Sequence, residues 1–308
     1  MKILSCITEK KEIEIFKKIG VDEIYFGLKD IPSYTDTGNL SSMSEAKEAI
    51  TIAHRFGLKA YLAANKIDFN NVEMKKVLSL IGRIIDYGID AIIVSNIGFL
   101  RKLRAEYPSI DLHLSSVQPC FNSESVKFFF DNFKISRLIL PNQLAALEAK
   151  DIISFCKKNN IKTEVFYFKF FGCPYINGYC GLHQQNYFTY SIDKYEGSMC
   201  KVYSEKSNSK IIPFNIRIAD KGKIIETLNK LKLRLSIGGS DRILNAASFF
   251  DYCVSGLDCI KFGTRTDSTE IKIRKLNKIK EVVADLEYLI KNYSREEAKR
   301  RFVELAMR

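Results

Sequence analysis

The stretches KKIGVDEIYFG (residues 17–27), HRFGLKAYLAA (54–64) and IDYGIDAIIVS (85–95) repeat one phrase three times. In each, an amphipathic segment stops at a glycine and a short apolar run follows almost at once. A glycine at the end of a helical pattern is a common stop signal, and an apolar run that does not alternate reads as a strand buried on both faces. Helix, stop and buried strand in repetition predict βα units around a parallel sheet.

The same rhythm extends outward through the chain. The candidate strands are KILSC (2–6), EIYFG (23–27), KAYLAA (59–64), AIIVS (91–95), DLHLSS (111–116), SRLILP (136–141), TEVFYF (163–168) and CIKFG (259–263). Amphipathic segments such as SMSEAKEAITIAHRFG and NVEMKKVLSLIGRIIDYG lie between them. Eight strands with intervening helices predict an α/β fold of the (β/α)8 TIM-like barrel class. An open doubly wound sheet is the alternative, because closure is not written in a sequence.

One interval breaks the pattern. Residues 169–210 hold no convincing helix but carry Cys173, Cys180 and Cys200, and IPFNIRI (212–218) and LRLSIGG (233–239) read as extra strands. A long irregular stretch inside a compact domain is usually functional or disordered, and the cysteines and aromatics favour function. The expected organisation is a single barrel domain over 1–308, with a Cys-containing insertion at 169–240 after strand seven and C-terminal helices over 270–308.

The 308 residues are 46% hydrophobic and 27% charged, with 16 Gly and 6 Pro, which excludes collagenous, mucin-like and disordered classes. The apolar runs fall well short of the roughly 20 residues a membrane-spanning helix needs. No membrane insertion is expected, and the short apolar run before the first charges is unlike a secretory signal, so a cytoplasmic location is expected. A net charge of +12 leaves polyanions open as partners. The positive charge is dispersed, however, and a Lys-, Ile- and Asn-rich composition explains it equally well.

Eight cysteines without an export signal argue for metal or catalysis over a disulfide framework. Barrels of this class place their sites at the C-terminal ends of the strands. By that criterion Cys6, Cys120, Cys173, Cys180 and Cys200 belong to the active face, and Cys156, Cys253 and Cys259 to packing layers or the opposite end. Three or four converging thiolates suit a [4Fe–4S] cluster. A zinc site with His183 as a ligand, or no metal at all, remain alternatives at this point. The CxxxCxxC spacing of radical initiators is absent.

Glu164-Val165-Phe166 followed by the run from Cys173 to Leu182, with Gly178 and Cys180 inside it, resembles the signature of the collagenase-like peptidase family, the thirty-second family of unassigned peptidases. IYFGLKDIPSYTDTGNLSSMSEAKEAITIAHRFGLKAYLAAN, LHLSSVQPCFNSESVKFF and LDCIKFGTR are similar to further landmarks of that family. The resemblance implies a barrel carrying a [4Fe–4S] cluster, used for oxygen-independent hydroxylation in ubiquinone synthesis or of tRNA and rRNA bases, with prephenate as oxygen source in the RNA branch. It implies a small-molecule or RNA substrate, and a paralogous protein partner where members work in pairs. A non-catalytic partner subunit is therefore one alternative function.

Residue by residue, the resemblance makes Cys173, Cys180 and Cys200 cluster ligands. The position of its fourth ligand holds Leu244, and the signature serine is His183. On topological grounds Cys120 is the expected fourth ligand, ahead of Cys6 and His183. Arg265, Glu164 and His183 are the expected catalytic residues, Arg265 because a guanidinium can hold a carboxylate in two bonds. Proteolysis, the activity in the family's name, is the other alternative. The single Asp36-Thr37-Gly38 triplet lacks the second carboxylate of an aspartic protease, and only His54, His113 and His183 could serve a cysteine nucleophile.

Overall fold

Gly20, Gly57 and Gly88, which close the three repeated phrases, have φ of 106°, 69° and 88°. Left-handed backbone costs glycine nothing, so each helix stops where the next strand must begin. At Gly20 the turn is fastened by its N–H, which donates to the carbonyls of Phe16 at 3.1 Å and Lys17 at 3.0 Å.

The computed structural model describes residues 1–34, 38–67, 71–142, 144–167, 246–263, 265 and 267–306. The chain runs β1 (Lys2–Cys6), α1 (Glu12–Ile19), β2 (Glu23–Leu28), β3 (Asn39–Leu40), α2 (Met43–Arg55), β4 (Lys59–Ala64), α3 (Asn71–Asp86) and β5 (Ala91–Val94). It continues α4 (Ile97–Glu106), β6 (Asp111–Leu114), α5 (Ser123–Phe133), β7 (Arg137–Ile139), α6 (Lys150–Lys158) and β8 (Lys162–Phe166). After residues 168–245 come α7 (Ala246–Val254), β9 (Cys259–Phe262), α8 (Thr269–Asn292) and α9 (Arg295–Ala306).

Among the described residues every pairing between these strands is parallel. β1 pairs with β2, Leu4 opposite Glu23 and Cys6 opposite Tyr25, and also with β9, Lys2 opposite Cys259 and Leu4 opposite Lys261. The sheet therefore closes on itself, and the open alternative is excluded: eight strands form a TIM-like barrel ringed by helices. β3 is an edge addition on β2, Gly27 opposite Asn39. The expected insertion at 169–240 lies outside the described residues, as do the extra strands expected at 212–218 and 233–239.

The outward faces of the strands are apolar. Phe26, Leu62, Ile92, Leu114, Leu138 and Phe262 pack under helix residues such as Phe16, Phe99 and Leu276, all fully buried. Each such side chain contributes about 1.5–3 kcal/mol relative to exposure, so this annular layer is the bulk of the core. Some helices open on side-chain caps: Asn122 accepts the Ser125 N–H at 2.8 Å before α5, and Asn96 accepts the Phe99 N–H at 2.8 Å before α4. At the seam between β1 and β9, Lys272 of α8 meets Glu12 of α1 at 2.9 Å, both fully buried. The Glu12 carboxylate also accepts the Thr8 N–H at 2.7 Å and the Thr269 hydroxyl at 3.0 Å, so the pair is fully bonded. Among the described residues no helix is long and apolar enough to cross a membrane.

Candidate functional site

Side chains alternate along a strand, so what faces the barrel axis is fixed by register. Here several inward positions are charged. Arg137 of β7 is held by both oxygens of Glu23 on β2, at 2.7 and 3.0 Å, and by Glu164 Oε2 on β8 at 2.9 Å. It donates a further bond to the Tyr61 hydroxyl at 3.3 Å. Lys261 of β9 lies 3.1 Å from Glu164 Oε1, with its ammonium 4.2 Å from the centre of the Tyr25 ring and 5.2 Å from that of Phe166. Two carboxylates and two cations thus neutralise one another inside the barrel, the arrangement that makes buried charge tolerable.

The network sets the titration of its members. Burial alone would raise Glu23, but the hydrogen bonds and charge of Arg137, with Lys2 at 3.2 Å, hold it below the usual carboxylate range. Burial pushes the His113 imidazole well below its ordinary value, and Arg137 and Lys261 push it the same way, so it is neutral. Its ring packs edge-on against Tyr61 with centroids 4.6 Å apart. Among the described residues three buried side-chain polar atoms make no hydrogen bond: His113 Nδ1, Arg137 Nε and Glu164 Oε1, the last facing Lys261 only as an ion pair.

Above this layer, at the C-terminal ends of the strands, a cavity of about 70 Å³ opens to solvent. Its polar lining includes Tyr25, Asn65, Ser115, Lys261 and Arg265. Asn65 is fixed from two sides, accepting the Tyr34 N–H at 3.0 Å and donating to the Ser115 hydroxyl at 2.9 Å. The Tyr25 hydroxyl donates to the Gly263 carbonyl at 3.1 Å. The Arg265 guanidinium donates to Asn39 Oδ1 and, at 3.1 Å, to the Ser33 hydroxyl. It reaches them because Gly27 has no side chain: a Cβ there would fall 1.9 Å from Asn39 Oδ1 and 2.2 Å from Arg265 Nη1.

Of the residues singled out from sequence, Arg265 stands at this mouth and Glu164 lies one layer below it, inside the ion network. Cys173, Cys180, Cys200 and His183 lie outside the described residues. Cys120 is fully buried in the apolar core, its thiol raised to about 12 by burial and by the neighbouring Cys156 thiol. To bind a metal it would have to leave that packing layer. Cys6 is also fully buried, with burial raising its thiol to about 11, but its register opposite Tyr25 puts it on the inward face.

Among the described residues no three His, Cys, Asp or Glu side chains converge as metal ligands, and the described thiols are shifted away from the thiolate a metal requires. A [4Fe–4S] cluster does not fit the described residues by themselves. β8 ends at this face, and the three remaining cysteines follow it in sequence, outside the described residues. No described cysteine is hydrogen-bonded to a histidine; the His54 ring instead meets Asp90 at 2.9 Å, near the opposite end where α2 stops.

Lys261, Arg137 and Glu23 were not singled out from sequence. The signal was available: a lysine inside the buried strand CIKF, or an arginine opening RLI, is costly unless paired, so each announces a partner across the barrel.

The sequence profile described as Peptidase family U32 matches residues 8–188, more than half of the chain. The chain belongs to peptidase family U32. Among curated U32-like relatives, the tRNA hydroxylation protein P of Haemophilus influenzae is 29% identical over 153 residues, 49% of this chain and 32% of that protein. The Escherichia coli protein of the same name is 28% identical over 135 residues, 43% of this chain and 29% of the relative. The 23S rRNA 5-hydroxycytidine C2501 synthase of Escherichia coli is 28% identical over 125 residues, 41% of this chain and 18% of the relative. The matched stretches thus cover about a third or less of these relatives' lengths.

Proposed function

We propose that this U32 protein takes part in oxygen-independent hydroxylation of an RNA base, with a [4Fe–4S] cluster on Cys173, Cys180 and Cys200 supplying the electron-transfer chemistry. The observation that carries the reading is the barrel mouth. It is a cavity with largely apolar walls that bears Lys261 and Arg265, on the face where β8 ends, and the cysteine-bearing residues follow β8 in sequence. The names of the relatives, tRNA hydroxylation protein and 23S rRNA hydroxycytidine synthase, support RNA as the substrate. Exposed Ile97, Phe121 and Leu147, each at or just before the start of a helix and hence on the same rim, suit contact with a large partner. A carboxylate-bearing oxygen donor of the prephenate type would meet the guanidinium of Arg265. A cytoplasmic location goes with the reading.

The test is nucleoside mass spectrometry of total tRNA and rRNA from cells with and without the chain. The reading requires one nucleoside to lose an oxygen atom on deletion and to regain it on complementation; identical profiles would refute it. Its cofactor half is read separately from anaerobically purified protein, which should carry about four irons per chain. That iron should be lost in Cys173→Ala, Cys180→Ala and Cys200→Ala and kept in Cys156→Ala. Comparing Cys120→Ala with Cys6→Ala assigns the fourth ligand.

A further inference from the structure

We infer that Lys261 is the anion-contacting residue on the floor of the mouth cavity, and that the cavity takes the carboxylate of a small organic acid. The inference rests on the mouth being the working site; it does not rest on hydroxylation. Lys261 is 3% exposed, yet it lines the cavity, so its ammonium is presented to a ligand and to little else. Its anionic neighbour, Glu164, is shared: Glu164 Oε2 is taken by Arg137 at 2.9 Å, and Oε1, facing Lys261 at 3.1 Å, lacks hydrogen-bond geometry. Lys261 is therefore held by charge and by the ring faces of Tyr25 and Phe166, which leaves ammonium protons to donate.

The walls decide which anion. Ala63, Ile93, Ile139 and Phe166 line the same cavity, so a charged head on Lys261 would have apolar surface beside it. An organic carboxylate has an apolar part to place there, whereas inorganic phosphate has none. At about 70 Å³ the space exceeds the roughly 10–15 Å³ one water needs, enough for a carboxylate and the carbons next to it, with the remainder of the acid toward the opening. Glu164 then acts as a positioning residue: it restrains Lys261 and competes with the ligand for it.

The two roles give variants of opposite sign. Ligand-observed NMR titration of the purified full-length chain would use benzoate as the probe, with benzamide and inorganic phosphate as comparisons. Benzoate should bind more tightly than either, Lys261→Met should weaken benzoate at least 10-fold, and Glu164→Gln should tighten it several-fold by releasing the ammonium. Equal affinity for benzoate and benzamide, or binding undiminished in a folded Lys261→Met, would overturn the inference. Phosphate binding as tightly as benzoate would overturn its carboxylate half. Should Lys261→Met fail to fold, Glu164→Gln still decides: unchanged or weaker binding contradicts the proposal. Lys261-dependent benzoate binding in a protein whose deletion leaves RNA unaltered would retain this inference and reject RNA hydroxylation.

Discussion

Arg137 carries more of the barrel interior than any other single described side chain, since it bridges Glu23 and Glu164 from strands on different sides of the axis. Removing one partner of a buried ion network leaves charge without compensation, typically at about 3–5 kcal/mol. Arg137→Met is therefore expected to lose that much in denaturant melts, more than an exposed arginine such as Arg101. The interior also makes stability pH-dependent. His113 stays neutral when folded, but in the unfolded chain it takes up a proton near pH 6.5. Stability from this group is complete above that pH and falls as acid is added, at up to about 1.4 kcal/mol per pH unit, until the folded imidazole also protonates. Glu23 acts in the same direction lower down, because its depressed value makes its contribution complete above the carboxylate range and lost as pH falls through the folded value. Thermal melts at pH 5 and 7 should thus differ for the wild type and differ less for His113→Phe; an equal gap would contradict the neutral, buried assignment. At this scale Arg265, just past a strand, and Glu164 are legible in the sequence, whereas Lys261 is not, because a charge in mid-strand is explained only by partners on other strands.

The elements are where the sequence was most legible, because helix stops and buried strands are local signals. The glycine of each repeated phrase and the unalternating apolar runs placed all eight barrel strands. What escaped was non-periodic or long-range. β3 has two residues and no pattern, and it exists because Asn39 pairs with Gly27. The Glu12–Lys272 pair joins α1 to α8 across 260 positions, which no local window can contain. Lys272→Met should cost about 3–5 kcal/mol by stranding a buried carboxylate, and Glu12→Leu with Lys272→Leu should cost less than the single change. Equal losses would show that packing, not charge, governs this seam. Gly27→Ala, which drives a methyl into Asn39 and Arg265, should cost about 1–3 kcal/mol in urea melts, with the loss appearing as displaced β3 and Arg265. An Asn122→Ala cap change should cost about 1 kcal/mol without touching the mouth.

For the molecule as a whole, closure made the difference between a list of strands and a site. Parallel βα units could equally have wound an open sheet; the pairing of β1 with both β2 and β9 turns alternate residues inward, where Glu23, Arg137, Glu164 and Lys261 meet. It also defines one mouth, shared by Arg265, Lys261 and the end of β8, which the cysteine-bearing residues follow in sequence. On the proposed function, this mouth is where the chain takes part in RNA hydroxylation. The most direct measurement is the nucleoside mass profile of RNA from cells lacking the chain and complemented with either Arg265→Ala or His54→Ala, each confirmed folded by its melt. His54→Ala, at the other end of the barrel, should restore the oxygenated nucleoside, and Arg265→Ala should not. Full restoration by Arg265→Ala, or no nucleoside that depends on the chain at all, would contradict it.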